Sequence, residues 1–304
     1  QMREYERFNT VCANAYVQPL MASYLVRLRD QLRDRGVQAP LHLVHSGGGL
    51  MSVESAAAFP VRLVESGPAG GAIFAADLAA RYGRDRVLSF DMGGTTAKIS
   101  LIDDSRPATA KTFEVDRTAR FKKGSGMPIS IPVIDMIEIG AGGGSIASVD
   151  SLDQIRIGPN SAGSEPGPAA YSLGGLDATV TDANLQLGRL HPDTFGATDI
   201  DLSPGRAADA LVRSVGERLG LGADTAAIGV AEVVDENMAN AARVHAVENG
   251  KDLAGWKTSG ADAFWTAVDG VLTGILNVVV VDEARENDAD ANGDLNDVVG
   301  SELL

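Results

Sequence analysis

The amino-acid sequence predicts an α/β protein, and three observations lead to that fold class. Short apolar runs end in glycine-rich turns, segments of helical periodicity follow several of them, and the two patterns alternate along much of the chain. At 304 residues the chain is long enough for two domains and a sizeable core.

Most elements are predicted from the spacing of apolar residues. Apolar side chains that recur at three and four positions predict helices, and short apolar runs between turn residues predict strands. On this basis we predict a helix at 8–35, strands at 41–45 and 61–64, a short helix capped by Ser52, an alanine-rich helix to about Tyr82, and helices at 206–219 and 226–247. Cys12 is expected to be a packed thiol, and His245 is expected at a surface or an interface.

The stretch VLSFDMGGTTAKISLI, residues 87–102, predicts two strands joined by a tight glycine turn. Glycines let a backbone approach a phosphate closely, and threonine hydroxyls add hydrogen-bond donors. Asp91 ends the first strand, where it can hold a hydrated Mg²⁺. The candidate phosphate-binding residues are Gly93, Gly94, Thr95 and Thr96. A glycine hairpin without a ligand is the alternative interpretation.

A second apolar run with acidic residues leads into a second glycine-rich loop. Residues 133–139 are predicted to form a strand that carries Asp135 and Glu138, whose odd spacing puts them on opposite faces if the strand is regular. The loop that follows contains Gly140, Gly142, Gly143 and Gly144. Further along, Asp182 and Asn184 are weaker candidates, and capping of a helix is the default role there.

Composition and charge exclude several classes of protein. The formal net charge of −15 disfavours binding to nucleic acid. The single cysteine allows no disulfide within the chain, and the opening residues are too polar for a signal peptide. The longest apolar run near the end, residues 271–281, is too short to span a membrane. We therefore expect a soluble cytoplasmic protein without a membrane partner.

The last 51 residues differ from the rest. Residues 254–304 contain both tryptophans and carry ten acidic against two basic side chains, which predicts a separate acidic tail. Part of it matches an EF-hand calcium loop at Asp288, Asp290, Asn292, Gly293 and Asp294. The twelfth position, where such a loop needs glutamate, is Val299, so a solvated acidic segment is the preferred interpretation.

Taken in order, these motifs resemble the hydantoinase A/oxoprolinase family over roughly residues 3–253. The matching stretches are SGGGLMS at 46–52, SGPAGG at 66–71, FDMGGTTAK at 90–98, EIGAGGGSIA at 138–147, IGPNSAG at 157–163 and TVTDANL at 179–185. The resemblance divides the chain into a linker helix and first α/β segment at 1–86, a core with the phosphate-binding hairpin at 87–253, and a divergent tail at 254–304. It also implies an actin-like ATPase fold with RNase H-like lobes, incomplete in this sequence.

The resemblance implies an ATP- and Mg²⁺-dependent enzyme that opens a small cyclic amide, such as a hydantoin or 5-oxoproline, after phosphoryl activation. Asp91 and residues 93–96 would hold the β- and γ-phosphates, and the glycines of 140–144 would give the nucleotide or substrate close access. Asp135 and Glu138 would hold a metal or orient a nucleophile, with Asp91 and Asp135 as metal ligands; two ion-paired or solvated acids are the alternative.

A B-type hydantoinase subunit is the partner that the resemblance implies. A subunit of an ATP-dependent ketone carboxylase is one alternative. A non-catalytic truncated family member is another, because two motifs of the family, an Asp-x-Gly-Gly-Thr loop and a Phe-Gly-Gly-Ala-Gly-Pro-like segment, have no counterpart in the 304 residues.

Overall fold

The first element of the fold is a long helix with a mostly exposed surface. The computed structural model describes residues 4–115, 124–192 and 200–248 and the backbone of 275–280. Helix α1 (Glu4–Asp34) buries Leu25 and leaves Cys12 exposed, so the predicted packed thiol is wrong. Large apolar side chains along α1 are also exposed, namely those of Tyr5, Phe8, Val11, Tyr16, Leu20, Tyr24 and Val26.

A small α/β segment follows α1. Strands β1 (His42–Val44) and β2 (Leu50–Ser52) pair antiparallel and lead into helices α2 (Val53–Ala58) and α3 (Ser66–Arg81). As predicted, Ser52 caps α2, because its hydroxyl accepts a hydrogen bond from the Ser55 amide at 3.2 Å. The predicted strand at 61–64 is wrong, since Pro60–Leu63 is a 3-10 helix that begins at a proline.

The strands that follow form antiparallel pairs in the described part of the chain. They are β3 (Arg86–Met92), β4 (Ala97–Asp103), β5 (Arg106–Pro107), β6 (Thr109–Ala110), β7 (Phe113–Val115), β8 (Met127–Ile129), β9 (Val133–Ile134), β10 (Met136–Ile139), β11 (Ser145–Val149) and β12 (Ile155–Ser161). In the main sheet β4 lies between β10 and β3. Strand β13 (Ile275–Val280) pairs with the other edge of β3, so part of the segment predicted as a tail joins this sheet.

Four helices complete the described fold. They are α4 (Val180–Gln186), α5 (Pro204–Leu211), α6 (Glu217–Leu219) and α7 (Ala223–Glu248). A π-helical turn, Val212–Gly216, interrupts the helix predicted at 206–219 and separates α5 from α6. The helix predicted at 226–247 is confirmed as α7. Each helix in the described ranges is too short or too polar to cross a bilayer.

The central hairpin of β3 and β4 is covered by a helix on each face, which bears out the predicted mixture of helices and sheet. Leu88, Ile99 and Leu101 pack with α7 residues such as Val234, whereas Val87 and Ile102 pack with the alanines of α3. This alternation follows the two-residue period of a strand. On α7, His245 is only 2% exposed, so its predicted surface position is wrong. The same alternation determines which side chains at the end of the hairpin face α3 and which face α7.

Candidate functional site

The predicted glycine hairpin is present and forms the end of β3 and β4. The turn is closed by a hydrogen bond from the Gly93 amide to the Thr96 carbonyl at 2.9 Å. In the register of the two strands Asp91 lies opposite Lys98. Gly94 and Thr95 at the tip are exposed. Within the described part of the chain, their two amides donate to no protein acceptor and are available to a ligand.

The second glycine-rich loop docks directly on this turn. The amides of Gly143 and Gly144 donate to the carbonyls of Gly93 and Gly94, at 3.0 and 2.6 Å. A Cβ atom on Gly142 would lie 2.6 Å from the Gly93 carbonyl oxygen, which the packing cannot accommodate. The Gly142 amide donates to the Ser145 hydroxyl. These glycines therefore support the turn, and their amides are already occupied within the protein.

Beside the turn lies a cavity of about 300 Å³. Its walls come from the turn, from the second glycine loop, from the loop after β12 and from α4. The lining residues are Met92, Gly93, Gly94, Thr95, Gly143, Gly144, Gly163, Ser164, Pro168, Tyr171, Thr181, Asn184, Leu190 and Ile200. A cavity of this size, partly apolar and with backbone polar groups at one end, suits a small-molecule ligand.

Neither the backbone conformation nor the packing explains the glycine at position 94. A Cβ atom there would meet nothing within 4 Å, and φ lies outside the left-handed region that favours glycine. Gly94 lines the cavity, and a side chain at this position would extend into space that a ligand can use. The fold itself therefore does not require glycine at position 94.

Asp91 lies on the opposite side of the hairpin end from the cavity. Met92 lines the cavity, and because neighbouring side chains on a strand point to opposite faces, Asp91 faces the side of α3. Burial raises the pKa of Asp91, and the Lys98 ammonium opposes that rise. The turn thus separates a cavity on one side from a half-buried carboxylate on the other.

A group of charged residues surrounds Lys98 on the α3 side. Lys98 pairs in register with Asp91 on β3 and with Glu138 on β10. Its Nζ atom lies 3.4 Å from a carboxylate oxygen of Glu138 and 3.4 Å from one of Glu65. Burial raises the pKa of Glu65, Lys98 lowers it, and Glu138 and Asp91 add to the rise. Three carboxylates therefore face one ammonium group.

Sequence reasoning missed Glu65 and Lys98 as members of this group. The register could have revealed Lys98, because a turn centred on residues 94–95 places position 98 opposite position 91. For Glu65 no comparable local signal exists. It precedes α3 in a left-handed conformation with φ of 58°, and the docking of α3 beside the hairpin brings its side chain to Lys98.

The structure does not bring Asp135 to the same place. Asp135 lies between β9 and β10, and its amide donates to the Ala108 carbonyl at 2.8 Å. It precedes Glu138 by three residues, or about 10 Å along an extended strand, whereas Glu138 lies directly opposite Lys98. A metal shared by Asp91 and Asp135 stays a prediction, and the register places Glu138 closer to Asp91.

Asp182 and Asn184 have different roles at the start of α4. Asp182 is fully buried and accepts hydrogen bonds of 2.7 Å from the amides of Thr179 and Ala170 and from the Thr179 hydroxyl. Together with the Thr179 side chain it forms a capping box, which confirms the capping role. Asn184, 4% exposed, lines the cavity and stays a binding candidate.

We expect Asp182→Ala to lower the free energy of unfolding by about 3 kcal/mol, because it leaves several buried donors without an acceptor. Urea denaturation followed by circular dichroism measures this change. Asp209→Ala, at an exposed position on α5, is the control and should change the value by less than about 0.5 kcal/mol. Equal unfolding midpoints for the two variants would contradict the structural role of Asp182.

The comparisons with known proteins agree with this arrangement of glycine loops. A sequence profile described as Hydantoinase/oxoprolinase matches residues 7–261. The chain belongs to the hydantoinase/oxoprolinase family. The match includes every glycine loop of the site and continues beyond α7.

Similar proteins in this family include enzymes that depend on ATP. The chain is 39% identical over 255 residues to an uncharacterised protein of Methanocaldococcus jannaschii, covering 83% of this chain and 37% of that protein. It is 35% identical over 261 residues to the caprolactamase alpha subunit of Pseudomonas jessenii, covering 86% and 36%. The nucleotide-free structure of acetone carboxylase, an ATP-dependent enzyme, has a TM-score of 0.69 at 27% identity, covering 84% and 34%.

These coverages show how much of a family member the chain represents. The chain spans about a third of the length of each of these three proteins. The matched third contains both glycine loops, the cavity and the charged group around Lys98.

Proposed function

We propose that this chain supplies a phosphate-binding part of an ATP-dependent enzyme that opens a cyclic amide after phosphoryl activation. The observation that carries the proposal is the hairpin tip, where Gly94 has no structural explanation and the amides of Gly94 and Thr95 remain available beside a cavity. Successive backbone amides at a glycine turn form a concave anion site. The hydroxyls of Thr95 and Thr96 add donors next to it.

The shape of the site fits a nucleotide that extends over the turn. The phosphates would contact residues 93–96, and the partly apolar cavity with Tyr171, Leu190 and Asn184 would accept the nucleoside end. On the other side of the turn, Asp91 would lie near the phosphates that react. Close relatives and structural neighbours that use ATP support this assignment.

The charged residues suit a hydrated Mg²⁺ that accompanies the phosphates. Three carboxylates around one ammonium leave negative charge that a cation would neutralise. In the described ranges no three Asp, Glu, His or Cys side chains converge on one metal position. Mg²⁺ keeps several of its waters and uses few carboxylates, so Asp91 with one second carboxylate, Glu138 or Asp135, would suffice. Bound there, the ion would neutralise charge on the phosphates.

The chemistry of a cyclic amide explains why phosphate binding would matter. Resonance makes an amide carbonyl a poor electrophile, and transfer of the γ-phosphoryl group to its oxygen converts that oxygen into a leaving group. Such a reaction depends on positioning and charge neutralisation more than on covalent chemistry by the protein. In this assignment the turn positions the phosphates, and the second glycine loop keeps the turn rigid.

The complete enzyme would need more than this chain. We infer that the hairpin belongs to one lobe of an actin-like ATPase and that a second lobe closes over the phosphates. A B-type subunit is the proposed partner, because the relatives include named subunits of larger enzymes. The exposed apolar side chains along α1 support an assembly, since large exposed apolar patches mark interaction surfaces.

A second activity in the same family is carboxylation of a ketone. The structural agreement with acetone carboxylase, at a TM-score of 0.69, exceeds that with the caprolactamase structure, at 0.61. The two activities differ in their co-substrates. ATP hydrolysis stimulated by caprolactam, hydantoin or 5-oxoproline supports the amidohydrolase, and stimulation that requires both bicarbonate and acetone supports the carboxylase.

We expect the chain to bind Mg·ATP with a Kd below about 1 mM, the upper end of common substrate affinities. Isothermal titration calorimetry on the 304-residue chain measures this, and titration with Mg·CTP tests whether the cavity distinguishes nucleosides. Heat release from neither nucleotide at protein concentrations near the expected Kd would refute phosphate binding by the turn. Stable complex formation with a partner subunit in that case would support a non-catalytic family member.

A further inference from the structure

The ammonium group of Lys98 connects the phosphate turn to two other parts of the fold. Lys98 Nζ donates to the Thr96 hydroxyl at 2.6 Å. The same atom lies 3.4 Å from Glu65 and 3.4 Å from Glu138, and the Lys98 side chain is only 16% exposed. The ammonium therefore contacts the turn, the start of α3 and strand β10 at once.

Glu65 combines this contact with an uncommon backbone conformation. It is the residue before α3 and has φ of 58° and ψ of 25°, a region that non-glycine residues seldom adopt. Its side chain is 20% exposed and close to Lys98. Such conformations persist where the surrounding structure requires them, and they are concentrated at functional sites. The Glu65–Lys98 pair is also less exposed than the Asp77–Arg81 and Asp153–Arg218 ion pairs.

We propose that Glu65 and Lys98 are positioning residues that hold the Thr96 side of the phosphate turn in its binding conformation. The proposal rests on the proposed function of that turn. In this arrangement Glu65 fixes the ammonium, the ammonium fixes the Thr96 hydroxyl, and the hydroxyl fixes the turn between Gly93 and Thr96. Lys98 then contacts no phosphate, although it is the cation nearest to the turn in the described structure.

The alternative role for Lys98 is direct contact with phosphate. It predicts the opposite change in nucleotide affinity when Glu65 loses its charge. Glu65, Asp91 and Glu138 are the charged groups that face the ammonium. If Lys98 contacted phosphate, removal of the Glu65 charge would free the ammonium and strengthen nucleotide binding. If Lys98 positions the turn, the same change loosens its anchor and weakens binding, even though it removes a negative charge near an anionic ligand.

The experiment is a double-mutant cycle on the affinity of the 304-residue chain for Mg·ATP. We expect Glu65→Gln and Lys98→Met each to weaken binding about tenfold, as is common for residues that orient a direct contact. Glu65→Gln should have no further effect on affinity in the Lys98→Met background, because in this proposal Glu65 acts only through Lys98. Lys98→Arg keeps the positive charge and should therefore lose less affinity than Lys98→Met. Asp77→Asn, which breaks the exposed Asp77–Arg81 ion pair on α3, is the control and should leave affinity unchanged.

The outcomes separate this proposal from the proposed function. Failure of the parent chain to bind Mg·ATP refutes the proposed function and, with it, the positioning role. Binding by the parent chain that Glu65→Gln strengthens or leaves unchanged refutes the positioning role alone. Additive losses in the double variant also refute it. If Glu65→Gln does not fold by circular dichroism, Glu65→Asp keeps the charge, shortens the side chain, and should weaken binding as well.

Discussion

Asp91→Asn is expected to weaken binding of Mg·ATP by about 10- to 100-fold while leaving metal-free ATP unaffected or bound more tightly. The first effect follows if Asp91 orients the hydrated Mg²⁺, because loss of such a contact has costs of this size. The second follows from charge, since the substitution removes a carboxylate beside an anionic ligand. Calorimetry with Mg·ATP and with ATP in EDTA measures both affinities. The ratio of the affinity for Mg·ATP to that for metal-free ATP should be lower in the variant than in the parent chain.

The same substitution should stabilise the folded protein at neutral pH. Burial raises the pKa of Asp91 in the folded state. A carboxyl group whose pKa is higher when folded than when unfolded favours folding below its unfolded pKa, and that contribution is lost as pH rises through the folded pKa. Asparagine has no carboxyl group to ionise, so it avoids this loss of stability. Asp91→Asn should therefore raise the free energy of unfolding by about 1 kcal/mol at pH 7. The gain should disappear at pH 3.

Asp77→Asn on the exposed face of α3 is the matched control, because it removes the same charge from a position remote from the turn. It should change neither the Mg²⁺ dependence of binding nor the pH dependence of stability. An Asp91→Asn protein that binds Mg·ATP as the parent does would remove Asp91 from the metal site. The remaining carboxylates of the group, Glu65 and Glu138, would then be the next residues to substitute.

The parts of the site that depend on neighbouring residues could be predicted from the sequence. The hairpin follows from two apolar runs around a double-glycine turn, and its register follows from the position of that turn. The capping box of Thr179 and Asp182 is likewise a local pattern. By contrast, an apolar run of four residues does not distinguish a strand from a helical turn, which explains the error at 61–64.

The parts that depend on long-range packing could not be predicted in this way. The second glycine loop docks on the turn across about fifty residues of sequence, and the sequence alone did not show that Gly142, Gly143 and Gly144 contact the turn. His245 is buried and Cys12 exposed because α7 packs on the sheet whereas α1 buries little of its own surface. Glu65 joins the site only when α3 docks beside β4. In each case the missing information is which face another element covers.

Gly94→Ala should weaken Mg·ATP binding strongly without destabilising the protein. A methyl group at this position meets nothing in the fold and requires no change in backbone conformation. It should therefore stabilise the folded state by about 0.4–1 kcal/mol, through the lower entropy of the unfolded chain. In the cavity, however, the methyl group would occupy the space where a phosphate approaches the backbone. We expect at least about a 30-fold loss of affinity, since a misplacement near 1 Å can cost about 100-fold in function.

Two other glycines provide the controls that give this result its meaning. Gly222→Ala also has open space and an ordinary φ but lies away from the cavity, so it should leave the affinity for Mg·ATP unchanged. Gly142→Ala would place Cβ 2.6 Å from the Gly93 carbonyl oxygen and should destabilise the protein by about 2–3 kcal/mol through overpacking. These results would assign the glycine at 142 to the fold and the glycine at 94 to a ligand. If Gly94→Ala bound Mg·ATP as tightly as Gly222→Ala does, the hairpin tip would not be the phosphate site, and the cavity beside it would need a different ligand.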